Sequence, residues 1–398
     1  MIRKATYIVF MLVLSVTTFA QTTCQDSYFV ALNYADNNQL DSAILLLDSQ
    51  TECSECQRLK AEIYVEREDF FKATAIYKNL TKVYPSDSYL RLSVIYADLG
   101  FADESVAYLE KYFELPNPVS YSDLLSNKEF EQINTSDEWR TFWSENRYSN
   151  NDLQLEEAEY LIKSEDYNSA LDILNKLNYS AKKECVSYLK AVVYWNYDNV
   201  SEALKYIQTT LDAHSDYMPA LILKRGIEFK NHSYHDALST NSILQKIDIY
   251  NPEHIYWQAE LLFLNNESAE AQKVIDIYLS YFPKDEAANY LNTQILIKSE
   301  DYREALIRLN KMIEINPSNS DYFVERADIY YLLESWRFAS NDYSMALDIN
   351  PKLNEVWFHY GMCQYNLNNI ESACNAWRRA AGMKNRDAVK MLFKECGI

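Results

Sequence analysis

The sequence predicts an all-α solenoid, about ten stacked helix pairs with one further helix covering the end. Alanine recurs at Ala203, Ala237, Ala271, Ala305, Ala339 and Ala373, each 34 residues after the last, and Pro283, Pro317 and Pro351 keep the same step. Within a unit the apolar residues fall at helical spacing in two runs, as in Phe323 to Leu333 and Ala339 to Ile349, with Pro351 closing the second. Only five glycines occur, too few for a phosphate-cradling loop or a dinucleotide fingerprint, both of which need clustered glycine for tight turns. Units of this length stack on their neighbours, so 398 residues do not imply two or three globular domains.

The first segment is residues 1–20. Arg3 and Lys4 precede an apolar run from about Tyr7 to Val16, followed by Thr18-Phe19-Ala20. That order of charge, apolar run and small residue is the pattern of a secretory signal peptide cut after Ala20. The run is about half the ~20 residues a spanning helix needs, and nothing later is long enough, so no transmembrane segment is expected. Loss of the two basic residues takes the formal charge from −20 to −22, 36 Lys+Arg against 58 Asp+Glu. So acidic a chain repels a phosphate backbone, which argues against nucleic acid as a partner. Cys24 follows Gln21-Thr22-Thr23, not the small, Leu-containing box of bacterial lipoproteins, so a lipid anchor is not expected.

Residues 21–118 hold about three units, centred on Ala43, on Ala73 with Pro85, and around Tyr96, Gly100 and Ser105. Residues 119–150 break the rhythm. Pro116 and Pro118 precede them, and Trp139 and Trp143 sit in a Ser/Asn/Glu-rich setting that reads equally as a hinge or a packed irregular helix pair. About seven units follow over 151–387. Setting position 1 at Ser320 puts Ala327 at 8, Tyr330 at 11, Ala339 at 20, Tyr343 at 24, Ala346 at 27 and Pro351 at 32. Small residues at 8 and 20 let two helices approach closely while large ones flank the contact. The next unit carries Trp357, Gly361, Ala373, Trp377 and Ala380 at 4, 8, 20, 24 and 27, whereas the unit around Gly226 has Arg225 where a small residue is expected. Residues 388–398 close the array: Asp387 to Cys396 reads as an amphipathic cap through Ala388, Val389, Met391, Leu392 and Phe393.

This order of small and large residues resembles the tetratricopeptide repeat (TPR) family over nearly all of the chain beyond residue 20. The resemblance implies a right-handed α-α superhelix in which the first helix of each pair lines a concave face, with positions 2, 5, 9, 12 and 13 pointing into it. Position 5 of the later units reads Leu155, Tyr188, Ile222, Tyr256, Tyr290, Val324 and Phe358. Position 12 reads Ile162, Trp195, Phe229, Phe263, Ile297, Tyr331 and Tyr365. Position 9 lies between them with Glu159, Val192, Gly226, Glu260, Gln294, Asp328 and Met362. The expectation is an aromatic-walled groove with an acidic floor, suited to an extended, apolar and basic peptide for which Tyr and Trp are rigid anchors. TPR modules that hold the carboxylate tails of heat-shock chaperones present Lys, Arg and Asn at these positions; this chain does not. The competing reading is that the same residues pack between neighbouring units.

Seven cysteines in an exported chain invite disulfides. In an antiparallel helix pair, residues equidistant from the turn lie opposite one another. Cys24 and Cys53 are symmetric about the turn near Asn38, and Cys374 and Cys396 about the turn near Lys384, with Cys363 a rival partner for Cys374. Cys396 is preferred because a terminal helix frays unless held; Ala373-Cys374 followed by a Cys at the end of a cap also resembles TPR proteins of the Gram-negative envelope. The bland alternative is that all are small buried residues. Cys53-Ser54-Glu55-Cys56 has redox spacing, but no strand is predicted to present it on a redox scaffold. His232, His235 and Asp236 lack convergent third and fourth ligands, so a solvated turn is expected, with no metal and no cofactor. No catalytic constellation is apparent, and 119–150, the only room for an inserted one, holds no His or Cys. The expected function is a non-enzymatic scaffold for a protein or extended peptide. Its expected place is the bacterial envelope, in the periplasm, on the periplasmic face of the outer membrane or secreted, as a subunit of a larger complex. The alternative is a glycan-binding accessory protein that stacks sugars on Tyr and Trp.

Overall fold

A computed structural model describes residues 24–116, 119–177 and 182–397. The leader expected over 1–20, and Pro118, lie outside these residues. Helix α1 (24–36) pairs with α2 (Leu40–Asp48), α3 (Ser54–Glu66) with α4 (Phe70–Leu80), and α5 (Pro85–Asp98) with α6 (Ala102–Phe113). Short elements follow: α7 (Tyr121–Leu125), a 3-10 turn over Lys128–Gln132 and α8 (Asp137–Ser144). Regular pairing resumes with α9 (Asn150–Lys163) and α10 (Tyr167–Lys176), α11 (Lys183–Asn196) and α12 (Val200–Ala213), and α13 (Met218–Lys230) and α14 (Tyr234–Ile247). It continues through α15 (Glu253–Leu264) and α16 (Ser268–Tyr281), α17 (Glu286–Lys298) and α18 (Tyr302–Ile315), α19 (Ser320–Leu332) and α20 (Trp336–Ile349), and α21 (Asn354–Asn366) and α22 (Ile370–Gly382), before α23 (Arg386–Glu395). No strand occurs among the described residues, and none of their helices is long and apolar enough to cross a membrane. The architecture is an α-α solenoid of stacked helix pairs.

The contact between the two helices of a pair is made by the small residues the period marks. Ala31/Ala43, Ala61/Ala73, Ser93/Ser105, Ala158/Ala170, Ala191/Ala203, Ala259/Ala271, Thr293/Ala305 and Ala327/Ala339 are all 0% exposed. Ser93 and Ser105 share a hydrogen bond of 3.1 Å across their pair, so a polar couple serves where alanine stands elsewhere. One turn beyond the second small residue lies a large one that fills the space above it. Leu47, Tyr77, Leu109, Leu174, Ile207, Ile275, Leu309, Tyr343 and Trp377 are each at most 1% exposed. The two vary together. Gly361 faces Trp377, the largest of the set, and a Cβ at Gly361 would lie 2.4 Å from the indole Nε1. Arg225, where a small side chain is expected, is only 4% exposed, and it faces Asn241, which accepts from its guanidinium at 2.7 Å. The expectation fails there because the opposing residue is polar too.

Each pair turns through one residue in the left-handed region. Asp198, His232, Asn266, Glu300, Glu334 and Asn368 have φ between 55° and 65° and recur every 34 residues; Gly100 does the same at 75°. Two hydrogen bonds close each turn, as in Glu334 N–H to the Tyr331 carbonyl (3.0 Å) and Ser335 N–H to the Tyr330 carbonyl (2.8 Å), the Schellman arrangement that satisfies the last helical carbonyls. His232 is thus a turn residue, its Nδ1 2.6 Å from the Tyr234 hydroxyl.

The chain divides into two compact units, one ending at Trp257 and the other beginning at Gln258, within α15. The irregular segment 119–150 lies inside the first unit. Leu124, Phe130, Ile133, Trp139 and Phe142 are at most 7% exposed and share a cluster with Ala97 and Leu109, and Arg147 binds Glu110 through two hydrogen bonds of 2.6 and 2.8 Å. In the second unit, α23 covers α22 through Ala388 and Leu392. Val389 and Phe393, expected on its buried face, are 38% and 70% exposed, and Ala388, Met391, Leu392 and Cys396 make the contact instead.

Candidate binding surface

In the first unit, Tyr188, Trp195, Phe229 and Tyr256 are all half-buried on first helices of successive pairs. Three of them reach forward to the next pair. Tyr188 meets Tyr217 edge-on at 5.6 Å, Phe229 meets Trp257 edge-on at 5.1 Å, and the Lys230 ammonium lies 4.7 Å from the Trp195 ring. Arg225 joins the same seam, stacked 4.5 Å from the Trp257 ring and 3.3 Å from His254 Nδ1. His254 is 2% exposed, and burial together with the Arg225 charge holds its pKa below the usual value. Where α7 meets α9 and α11, a cavity of about 240 Å³ is lined by Leu155, Glu159, Glu156, Asp123 and Lys182. Desolvation raises the Glu159 carboxyl above its ordinary value there.

In the second unit, Glu260, Phe263, Tyr290, Asp328, Tyr331, Phe358 and Tyr365 are likewise half-buried. Phe263 repeats the step seen at Trp195, with the Lys298 ammonium 4.7 Å from its ring. The Tyr290 hydroxyl donates to Glu325 at 3.1 Å, Tyr331 stacks on His359 at 5.2 Å, and the Tyr365 hydroxyl donates to Glu395 of the cap at 2.9 Å. Phe358 packs against the cluster that α23 closes. Tyr188, Trp195, Phe229, Phe263, Tyr290, Tyr331 and Tyr365 thus each meet a residue of the next helix pair or of the cap while remaining half-buried.

Asp328 has the most informative surroundings. Its side chain is 47% exposed, yet desolvation raises its pKa, against the pull of the Tyr343 hydroxyl (2.5 Å) and of His359. Glu325, one turn earlier on α19, is raised by burial as well. Position 9 pointed to Asp328, but Glu325 and His359 stand at position 6 and were missed; Glu325 was legible as the residue three before Asp328 on the same helical face. The pair makes a half-desolvated anionic wall beside Tyr290 and Tyr331, able to accept hydrogen bonds from an ammonium or guanidinium.

The structure joins Cys24 to Cys53 and Cys374 to Cys396, with Cα atoms 5.8 and 5.9 Å apart. Cys56, Cys185 and Cys363 are free thiols. Burial pushes Cys56 and Cys363 up to about 12 and raises Cys185, so each is a neutral thiol at neutral pH.

A family described as anaphase-promoting complex, cyclosome, subunit 3 matches residues 230–312. A TPR repeat-containing protein of Methanocaldococcus jannaschii is 27% identical over 48% of this chain and 35% of its own length. A tetratricopeptide repeat protein 21 homolog of Caenorhabditis elegans is 20% identical over 84% of this chain and 24% of its own. The chain thus spans about a third or less of these relatives. Among solved structures, the C-terminal part of a TPR repeat-containing protein from Cytophaga hutchinsonii superposes with a TM-score of 0.51 and 16% identity, over 60% of this chain and 99% of that one. These matches support the TPR reading of the repeats.

Proposed function

We propose that this chain is a non-enzymatic scaffold that binds extended, basic and apolar segments of other proteins along the first-helix faces of its pairs. The observation that carries the reading is a pair of carboxylates one turn apart on α19, Asp328 and Glu325, with the Tyr290 hydroxyl donating to Glu325 at 3.1 Å and Tyr331 following Asp328 on the same helix. An incoming ammonium or guanidinium meets two carboxylates on one helical face, a complementary charge for a basic segment. The glycan reading is less favoured, because a lysine ammonium lies over the rings of both Trp195 and Phe263, where a sugar would stack.

The proposed setting is the bacterial envelope: the periplasm, the periplasmic face of the outer membrane, or outside the cell, as one subunit of a larger complex. The leader pattern over 1–20 and the joining of Cys24 to Cys53 and Cys374 to Cys396 support it, since such bonds persist in oxidising compartments. In-cell cross-linking of wild type and an Asp328→Asn/Glu325→Gln variant tests the binding surface. Removing two half-exposed charges worth up to about 1 kcal/mol each weakens capture of basic segments roughly tenfold. Unchanged recovery of the same partners refutes the surface. A mature N-terminus at Gln21 in the envelope fraction is the expected export result, and an intact Met1 in the cytoplasm refutes that arm.

A further inference from the structure

Three cysteine sulfurs meet at the start of α3. Cys24 opens α1, Cys53 is the N-cap of α3 and Cys56 stands one turn inside it, and their Sγ atoms all lie within 4.8 Å of one another. With Cys24 joined to Cys53, the buried Cys56 is a third thiol against that disulfide. Its backbone N–H donates to Cys53 Sγ at 3.4 Å, and its S–H donates to the Cys24 carbonyl at 3.5 Å. The C-x-x-C spacing thus falls on a helix N-terminus, with Cys53 as its N-cap and Cys56 one turn in. The same α1 residues touch the turn between α14 and α15 in the same compact unit. Cys24 Sγ lies 3.0 Å from the Tyr250 hydroxyl, the Gln25 side-chain amide donates to the Ile249 carbonyl, and Tyr28 meets Tyr250 edge-on at 5.1 Å.

We propose that Cys24, Cys53 and Cys56 form a thiol-disulfide exchange site in which Cys56 displaces Cys24 from Cys53, turning the tether between α1 and α3 into a bond within α3. Cys56 gives up its proton, and its thiolate attacks Cys53 Sγ. The Cys53–Cys56 bond forms as the Cys24–Cys53 bond breaks, the electron pair leaves on Cys24 Sγ, and that sulfur takes up a proton. One disulfide and one thiol stand on each side, so no outside oxidant or reductant enters. After exchange α1 is held by non-covalent contacts alone, and the Cys24 thiol is free at the end of a helix to meet a disulfide or thiol of another chain. Burial and the neighbouring Glu55 push Cys56 up to about 12, with Tyr250 the titratable group facing it from the α14–α15 turn. Exchange is therefore slow at neutral pH and quickens about tenfold per pH unit, following the thiolate fraction.

The test uses the full-length oxidised protein, pulsed with iodoacetamide at pH 7, 8, 9 and 10, quenched in acid and mapped without reduction. The expected result is alkylated Cys24 together with a Cys53–Cys56 disulfide, appearing about tenfold faster per pH unit and absent in Cys56→Ser. Alkylation of Cys56 with Cys24–Cys53 intact at every pH overturns the proposal, as does a Cys24–Cys56 bond, which leaves α1 tethered. Cys24→Ala oxidised with glutathione disulfide gives a second readout that does not need Cys56 altered. A Cys53–Cys56 disulfide is expected; two thiols, or glutathione adducts that persist on them, overturn it.

Discussion

Gly361 and Trp377 offer the sharpest test of how the pairs pack. In most repeats a small residue on the first helix faces a Leu, Ile or Tyr on the second, but here glycine faces a tryptophan that is 0% exposed and donates its indole N–H to the Phe358 carbonyl at 3.3 Å. A methyl group at 361 would lie 2.4 Å from Nε1 and 2.6 Å from Cδ1 of that ring. The rigid, enclosed indole has no room to retreat, so Gly361→Ala costs about 1–3 kcal/mol through overpacking. Helix propensity alone works the other way, favouring alanine by roughly 0.5–1 kcal/mol. In a Trp377→Leu background, which restores the pairing of Ala158 with Leu174, the clash is gone and the same substitution becomes neutral or stabilising. The double-mutant cycle therefore carries a coupling of about 2 kcal/mol. Gly226→Ala is the control, since nothing lies within 4 Å of a Cβ there, and it gains roughly 0.5–1 kcal/mol. Urea denaturation with hydrogen exchange across α21 and α22 reads each step. Equal effects of Gly361→Ala in the wild-type and Trp377→Leu backgrounds would refute the packing argument.

Burial and Arg225 hold His254 below its ordinary pKa, against Asp248 and Glu253, so the unfolded chain binds the proton at a pH where the folded one does not. Its contribution is full above about pH 6.5 and is lost as pH falls below that value, by at most about 1.4 kcal/mol per unit. The urea midpoint of wild type should fall between pH 7 and 5 more steeply than that of His254→Gln, and parallel profiles would count against the buried neutral imidazole. Replacing Cys374 and Cys396 together by alanine opens a bond between residues 22 apart in sequence, worth about 3 kcal/mol. The loss of exchange protection should be confined to α22 and α23, because the bond joins these two helices; unchanged protection of α23 would show that the bond holds nothing. Glu334 occupies the left-handed region at φ 55°, which costs an L-residue about 1–2 kcal/mol. Glu334→Gly should therefore stabilise by roughly 0.5–1 kcal/mol after its entropy cost, whereas Glu334→Ala should not, and equal midpoints for the two would refute the strain.

The repeat could be read from the chain because its contact geometry is local: two helices crossing closely need small residues twelve apart, and that need prints a period on the sequence at Ala327/Ala339 as at Ala191/Ala203. Positions 5, 9 and 12 were likewise legible as a face, since a helix places i, i+4 and i+7 together. The left-handed conformation of Glu300 and Glu334 was not, because glutamate carries no turn signature and is placed there by the hydrogen bonds that close the pair. Arg225 read as a misfit, and only its contact with Asn241 and Trp257 makes it a packed residue.

By itself, then, the sequence determined the class of fold, the length of the unit, the small-residue contacts and the faces on which aromatic rings stand. Tertiary structure alone decided which residues of the next pair the rings meet, that the Tyr290 hydroxyl reaches Glu325 beside Asp328, and that Cys56 lies against the Cys24–Cys53 bond. The physical reason is range. Helix pairing acts over a few turns of chain and leaves a periodic trace, whereas desolvation and side-chain encounter depend on neighbours about 30 residues or more away, such as Tyr331 with His359 and Cys24 with Cys56, whose identities follow no period.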